Sequence, residues 1–168
     1  INHENIIKLL EIIEVNNKIY LITEYCPNDL LSQISTNNKF SEEVSLKYFE
    51  QIINALNYLN ENGICHRNIK PDNILLTKNN TQIKIIDCGL STAYSKDSWL
   101  SSPVGTVIYC PPEMHLSQSY SGELADIWNC GLVLYTMVCG YMPFNDDNDE
   151  INIKHIITGF YQIPSFIS

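Results

Sequence analysis

His66-Arg67-Asn68-Ile69-Lys70-Pro71-Asp72-Asn73, followed after a short apolar hairpin by Asp87-Cys88-Gly89, is the stretch that decides the fold. Ile74-Leu75-Leu76 and Ile83-Lys84-Ile85-Ile86 flank the polar turn Lys78-Asn79-Asn80-Thr81, a β-hairpin pattern. Asn73 precedes one arm and Asp87 leaves the other, so the hairpin brings an amide oxygen and a carboxylate to one mouth. Such oxygen donors suit a hard cation. The plainer alternative is a pair of turn-forming residues at strand ends.

Upstream of this stretch, Ile6 to Val15 and Ile19 to Ile22 are apolar runs around Asn16-Asn17-Lys18, a first hairpin. Residues 24–29 form a connector, and Leu30 to Ile34 starts a short helix. Ser41 with Glu42 and Glu43 marks a capped helix start, Phe49, Ile52, Ile53, Leu56 and Leu59 recur at helical spacing, and Gly63 ends the helix. Downstream, residues 90–112 are aperiodic and rich in Ser and Thr, a long loop of the kind kept for function. Asp126 to Cys139 is apolar nearly all round, the pattern of a helix buried on every side. Asn145 to Glu150 reads as a solvated acidic loop, and Ile151 to Ile157 as a short amphipathic helix.

The length of 168 residues suggests one domain with a sizeable core. Ten basic against 19 acidic residues give a formal charge of -9, which disfavours nucleic acid and anionic membranes and favours basic partners. Cys26, Cys65, Cys88, Cys110, Cys130 and Cys139 have no C-x-x-C spacing and lie mostly in apolar runs, so they read as reduced core thiols of a cytoplasmic protein rather than zinc ligands. Asn129 interrupts the longest apolar run, leaving no stretch of the ~18 apolar residues a membrane span needs. No secretory signal pattern is present.

The stretch from His66 to Asn73 with Asp87-Cys88-Gly89 resembles the catalytic loop and metal-binding turn of a protein kinase, H-R-D-x-x-x-x-N and D-F-G, with Asn68 in place of the catalytic aspartate and Cys88 in place of phenylalanine. The resemblance covers essentially the whole chain. His3 to Leu9 is similar to the segment before the fourth small-lobe strand, and Gly105-Thr106 through Tyr109, Pro111, Pro112 and Glu113 is similar to the loop ending in A-P-E. Asp126 to Gly131 resembles the buried large-lobe helix, and Lys70 with Thr106 marks the serine/threonine branch. Residues 105–144 look most like the calmodulin-dependent/energy-sensor group.

This resemblance implies an α+β fold: a mainly helical kinase-like large lobe over 30–168, a small-lobe hairpin remnant over 1–23 and a hinge over 24–29. It implies ATP and Mg2+ as cofactors and a protein substrate or scaffold partner. Asn73 and Asp87 would hold the metal, Lys70 would stand beside the transferring phosphoryl group, and Thr106 would count with Asn68 and Lys70 among the catalytic residues. Thr23 falls at the gatekeeper position, Glu24 and Cys26 at the hinge, and Leu75 under the adenine. Asp29 either touches ribose or a basic substrate residue, or caps a helix. Arg67 would receive a phosphorylated Ser102, with Ser101 as the alternative and an unmodified serine the plain one. His66 would pack in an internal spine beside Leu9 and Cys88, and Asp126 would tie the catalytic loop's backbone to the buried helix. Glu113 lacks the late arginine it pairs with in the family, because Arg67 is the sole arginine.

The departures set the functional expectation. The first glycine is Gly63, so no G-x-G-x-x-G loop precedes the hinge, nor does a V-A-I-K strand; the chain is expected to be a fragment, incomplete at both ends. Asn68 can orient a hydroxyl but has no basic lone pair at neutral pH, and general bases contribute roughly 10²–10⁴-fold. The expectation is an inactive kinase-like domain with at most nucleotide or metal contact, or else a non-catalytic pseudokinase scaffold.

Overall fold

A computed structural model describes residues 1–95 and 98–168. The chain opens with β1 (Leu9–Val15) and β2 (Lys18–Thr23), then β3 (Asn28–Asp29), α1 (Leu30–Asn37) and α2 (Glu42–Glu61). β4 (Ile64–Cys65) leads into the stretch from His66 to Asn73, after which come β5 (Ile74–Leu76), β6 (Ile83–Ile85) and β7 (Thr92–Ala93). α3 (Pro112–His115), α4 (Gly122–Cys139) and α5 (Asp149–Thr158) complete the order.

α2 forms where its start is capped and its apolar stripe is continuous. The Ser41 hydroxyl accepts from Val44 N–H, Glu42 and Glu43 sit in the positive first turn, and Tyr48, Ile52, Ala55, Leu56 and Leu59 form the buried face. That face packs on α4, and α1 adds Leu30 and Ile34 to the same core. Gly140 closes α4 with φ +85°; a Cβ there would lie 1.9 Å from the Asn38 carbonyl oxygen, so only glycine fits. No helix among the described residues is long and apolar enough to cross a membrane.

β5 is the middle strand of a three-stranded antiparallel sheet, with β6 on one side and the two-residue β3 on the other. Ile74, Leu76, Ile83 and Ile85 are fully buried against α1 and α2. On the other face Leu75 lies across from both Asp29 and Lys84. A short pair, β4 with β7, ties the start of the 90–112 loop beneath α2's C-terminus.

Several sequence expectations need correction. The first hairpin starts at Leu9, not Ile6: Ile6 is buried in a parallel bridge with Ile85, Ile7 N–H donates to Ile85 O and Ile85 N–H to Asn5 O. Residues 5–7 therefore extend the second hairpin's sheet. α4 begins at Gly122 rather than Asp126, because Ser121 caps it through Leu124 N–H and Glu123 fills its first turn. It is also not buried all round, since Leu124 and Ile127 are exposed. α5 runs from Asp149, capped by Asn148, to Thr158. The 90–112 loop is less irregular than its composition suggests, carrying β7, the bridge from Leu100 to Tyr120 and a short 3₁₀ turn over Val107–Tyr109.

Candidate active site

The stretch from His66 to Asn73 is held from beneath by one carboxylate. Asp126 Oδ2 accepts from His66 N–H and Oδ1 from Arg67 N–H, both at 2.7 Å, the tie that the sequence anticipated. This grip holds Arg67 at φ +65°, a left-handed conformation that a non-glycine residue adopts only when its surroundings insist. Burial pushes Asp126 up to about 6 against the pull of the two backbone N–H groups and the Arg67 charge. One turn along α4, the buried Asn129 donates through Nδ2 to Tyr109 O and so anchors the end of the 90–112 loop. Sequence reading treated Asn129 only as a break in an apolar run; its spacing of three from Asp126 was the available signal.

His66 is fully buried. Its Nε2 lies 3.0 Å from Ile86 O and its Nδ1 3.3 Å from Asn68 N, so the ring is neutral with the proton on Nε2, as assigned from these partners. Burial lowers its pKa, only partly offset by the Ile86 carbonyl and the Asp87 charge. The expected spine neighbours do not join it. Leu9 is exposed on the first hairpin, and Cys88 is exposed on the 3₁₀ turn over Cys88–Leu90 that follows Asp87. Cys88 therefore also departs from the core-thiol reading; Cys26, Cys65, Cys130 and Cys139 are buried, Cys110 is half-buried, and all six are free.

Asn73 and Asp87 sit at neighbouring ends of β5 and β6. Asn73 O accepts from Ile86 N–H at 3.0 Å, which sets Asp87 directly beside it. Asn73 is largely buried and donates through Nδ2 to Asn68 O at 2.8 Å, and its Oδ1 has no protein partner among the described residues. Asp87 adopts φ 63°, ψ 64°, and its Oδ1 accepts from Gly89 N–H. Its Oδ2 accepts from Asn68 Nδ2 at 3.2 Å. The carboxylate fixes the amide's orientation, nitrogen toward Asp87, because the flipped amide would set oxygen against oxygen. The opposite atom, Asn68 Oδ1, lies 3.9 Å from where a Gly105 Cβ would be. The donor set of one amide oxygen and one carboxylate suits Mg2+, though Asn68 already occupies one lone pair of Asp87.

The loop end forms the other wall. Lys70 Nζ donates to Thr106 Oγ1 at 3.2 Å. Gly105 has φ +106° and a Cβ there would sit 3.0 Å from Arg67 O, so glycine permits this approach. Arg67 Nε donates to Leu90 O at 2.7 Å and Nη1 lies 3.4 Å from the Tyr120 hydroxyl, which donates to Ser102 O. Ser102 itself is exposed.

At the connector, Thr23 is exposed at the end of β2 and Cys26 is buried, which together with the Glu24 charge raises its thiol pKa. Glu24 N–H donates to Lys8 O, and Glu24 Oε1 accepts from Lys8 N–H at 2.9 Å and from Lys84 Nζ at 2.8 Å. Partial burial raises the Glu24 pKa, but these bonds and charges outweigh it and the net shift is downward. Lys84, flanked by two buried isoleucines, was missed, and nothing short of the strand pairing would have revealed its partner. Asp29 shows the capping alternative: both carboxylate oxygens engage Ser32, at 2.7 Å from its N–H and its hydroxyl. Leu75 is half-buried opposite Asp29. Glu113 forms no salt bridge among the described residues, where the ion pairs are Lys47 with Glu43 and Lys84 with Glu24.

The protein kinase domain matches residues 1–167. Carbon catabolite-derepressing protein kinases of Candida glabrata and Saccharomyces cerevisiae are each 36% identical over 168 residues, covering all of this chain and 27% and 26% of theirs. CBL-interacting serine/threonine-protein kinase 26 of Arabidopsis thaliana is 37% identical over 172 residues, all of this chain and 39% of its own length. The chain thus spans about a quarter of the first two relatives. With a family match over nearly its whole length and kinases of the serine/threonine class among its relatives, the chain belongs to the protein kinase domain family.

Proposed function

We propose that this chain is a kinase-like domain of the serine/threonine class whose catalytic centre is degenerate, retaining at most contact with nucleotide and metal and no measurable phosphotransfer. The family uses ATP and Mg2+ and transfers the γ-phosphoryl group to a protein hydroxyl. On this reading residues 1–23 are a small-lobe hairpin, 24–29 the hinge and 30–168 the large lobe. Asn73 Oδ1 and Asp87 would hold the metal, Lys70 and Thr106 would face the phosphoryl group, and Thr23, Glu24, Cys26 and Leu75 would line the nucleotide's side.

The observation that carries the proposal is the hydrogen bond from Asn68 Nδ2 to Asp87 Oδ2. An aspartate here would offer acceptors to a substrate hydroxyl and repel Asp87. Asn68 instead turns a donor onto the metal carboxylate, withdrawing one of its acceptor sites and supplying no proton acceptor toward the substrate. The lost general base alone accounts for roughly 10²–10⁴ in rate. The test is phosphate transfer from labelled Mg·ATP to a basic peptide. Wild type should not exceed the protein-free control, and label incorporation by it would overturn the reading. A thermal-shift titration with Mg·ATP separately reads nucleotide contact.

The non-catalytic alternative, a scaffold presenting this surface to a protein partner, draws support from the exposed apolar hairpin, where Leu10, Ile12, Ile19 and Leu21 are each at least 59% exposed.

A further inference from the structure

We infer that Tyr120 is a positioning residue, whose uncharged phenol tethers the 90–112 loop to Arg67 and so sets Val104, Gly105 and Thr106 against Asn68 and Lys70 without a phosphate. Tyr120 is 1% exposed and packs with Met114 and Ala125. Its backbone pairs with the loop in both directions, Leu100 N–H to Tyr120 O at 2.9 Å and Tyr120 N–H to Leu100 O at 2.8 Å. Its hydroxyl donates to Ser102 O at 3.0 Å and lies 3.4 Å from Arg67 Nη1. A phenol has one proton to donate and lone pairs to accept, so it serves both partners at once.

Arg67 completes the strap. Its Nε holds Leu90 O near the start of the loop, while the phenol links it to Ser102 further on. Two widely separated points of the loop are thus referred to one guanidinium, whose own backbone N–H is clamped by Asp126. From Ser102 the chain needs only a few residues to reach Gly105, packed on Arg67 O, and Thr106, bonded to Lys70. All of Arg67's partners here are neutral, and among the described residues it forms no salt bridge. The stretch from Leu100 to Thr106 is therefore held, without a phosphate, by hydrogen bonds to Tyr120 and Lys70.

The inference rests on the proposed reading of the loop as a wall of the phosphoryl-transfer cleft, but its test uses neither nucleotide nor transfer, so the two fail separately. Tyr120→Phe keeps the ring and its packing and removes only the hydroxyl. Native-state hydrogen exchange, followed by peptide-level mass spectrometry on the purified protein, should show amides of residues 101–107 exchanging about fivefold faster, with α2 and α4 unchanged. Arg67→Met should accelerate the same amides, and the double variant should add little to either single one, because both break one strap. Unchanged loop exchange in Tyr120→Phe overturns the inference. So does an increase spread evenly over α2 and α4, which would mark a purely structural tyrosine. If Arg67→Met does not fold, the single phenylalanine variant decides.

Discussion

The hairpin formed by β5 and β6 and the one formed by β1 and β2 are written in much the same alphabet, yet they live in different environments. Ile74, Leu76, Ile83 and Ile85 are fully buried, whereas every residue of β1 and β2 is exposed. The difference does not come from apolar content. β5 and β6 have α1 and α2 beneath one face and residues 5–7 along an edge, so each isoleucine gains the ~1.5–3 kcal/mol that full burial brings. Among the described residues β1 and β2 pair only with each other, and doublets such as Leu9-Leu10 and Ile12-Ile13 put apolar side chains on both faces of the ribbon. Burial is conferred by what lies across from a strand. Changes under the inner hairpin should therefore be expensive, and changes on the outer one cheap.

The largest effect should come from Asp126→Asn. An amide offers an acceptor to only one of the two N–H groups now held at 2.7 Å and turns its own N–H toward the other. A buried, unsatisfied donor and the loss of a buried carboxylate together should cost about 3 kcal/mol in urea unfolding. A loss below about 1 kcal/mol would mean that the backbone at His66 and Arg67 is held mainly by packing around Ile69.

The next effect is one of pH. His66 has a folded pKa below its ordinary 6.5, so acid protonates the unfolded chain first and stability falls as pH drops below that value. Asp126 acts in the opposite sense. Its folded pKa of about 6 exceeds the usual 3.8, so lowering pH from 6 toward 4 favours the fold through that group. Just below neutrality the histidine should dominate. The wild type should lose stability between pH 7 and 6, with a slope of at most about 1.4 kcal/mol per pH unit. In His66→Gln this slope should shrink. An equal slope in the variant would place the sensitive proton elsewhere.

A smaller effect is expected where the outer hairpin joins the rest. Glu24 links Lys8 to Lys84, and Glu24→Gln would leave the nearly buried Lys84 ammonium without its carboxylate. The expected cost is about 1 kcal/mol, reduced in high salt because Glu24 is partly exposed. It should show as faster exchange of the Ile7 and Ile85 amides ahead of global unfolding. No change there would mean that the backbone bridge between Ile6 and Ile85 joins the two hairpins unaided.

What could be read in the sequence follows the same division. α2 was legible because its signals are local: a serine cap, acidic first-turn residues and a stripe at helical spacing. The meeting of Asn73 and Asp87 was legible because one short hairpin separates them. Residues whose partners lie far along the chain were not. Lys84 pairs across 60 positions with Glu24, Tyr120 reaches back to Arg67, and Ile6 leaves its own apolar run to pair with Ile85. The spine expected around His66 failed for a related reason. Whether Leu9 and Cys88 cover it depends on how two loops turn, and the left-handed Asp87 carries Cys88 outward. Asn68 was legible as a chemical departure, but the direction of its amide, donating to Asp87, needed coordinates.

The smallest effect is the one that tests the comparison most directly. Ile12 and Leu21 are cross-strand partners at 61% and 62% exposure, so replacing both by threonine removes a mutual contact but little burial. Threonine is β-branched, as Ile12 is and Leu21 is not, so strand preference is not lost, and a cross-strand pair is worth roughly 0.2–1 kcal/mol. Urea unfolding of the double variant should therefore shift by no more than about 0.5 kcal/mol, while its solubility rises as the apolar patch is broken. A loss of about 3 kcal/mol, the size expected for Asp126→Asn, would show that another surface covers this hairpin in solution. A self-association equilibrium that weakens in the variant would identify that surface as a second copy, by sedimentation at several protein concentrations. The same substitutions at Ile74 and Ile85, which are fully buried and paired in the same antiparallel way, should cost several-fold more. Pairing geometry is then constant between the two hairpins, and the ratio of the two losses measures the contribution of the layer beneath.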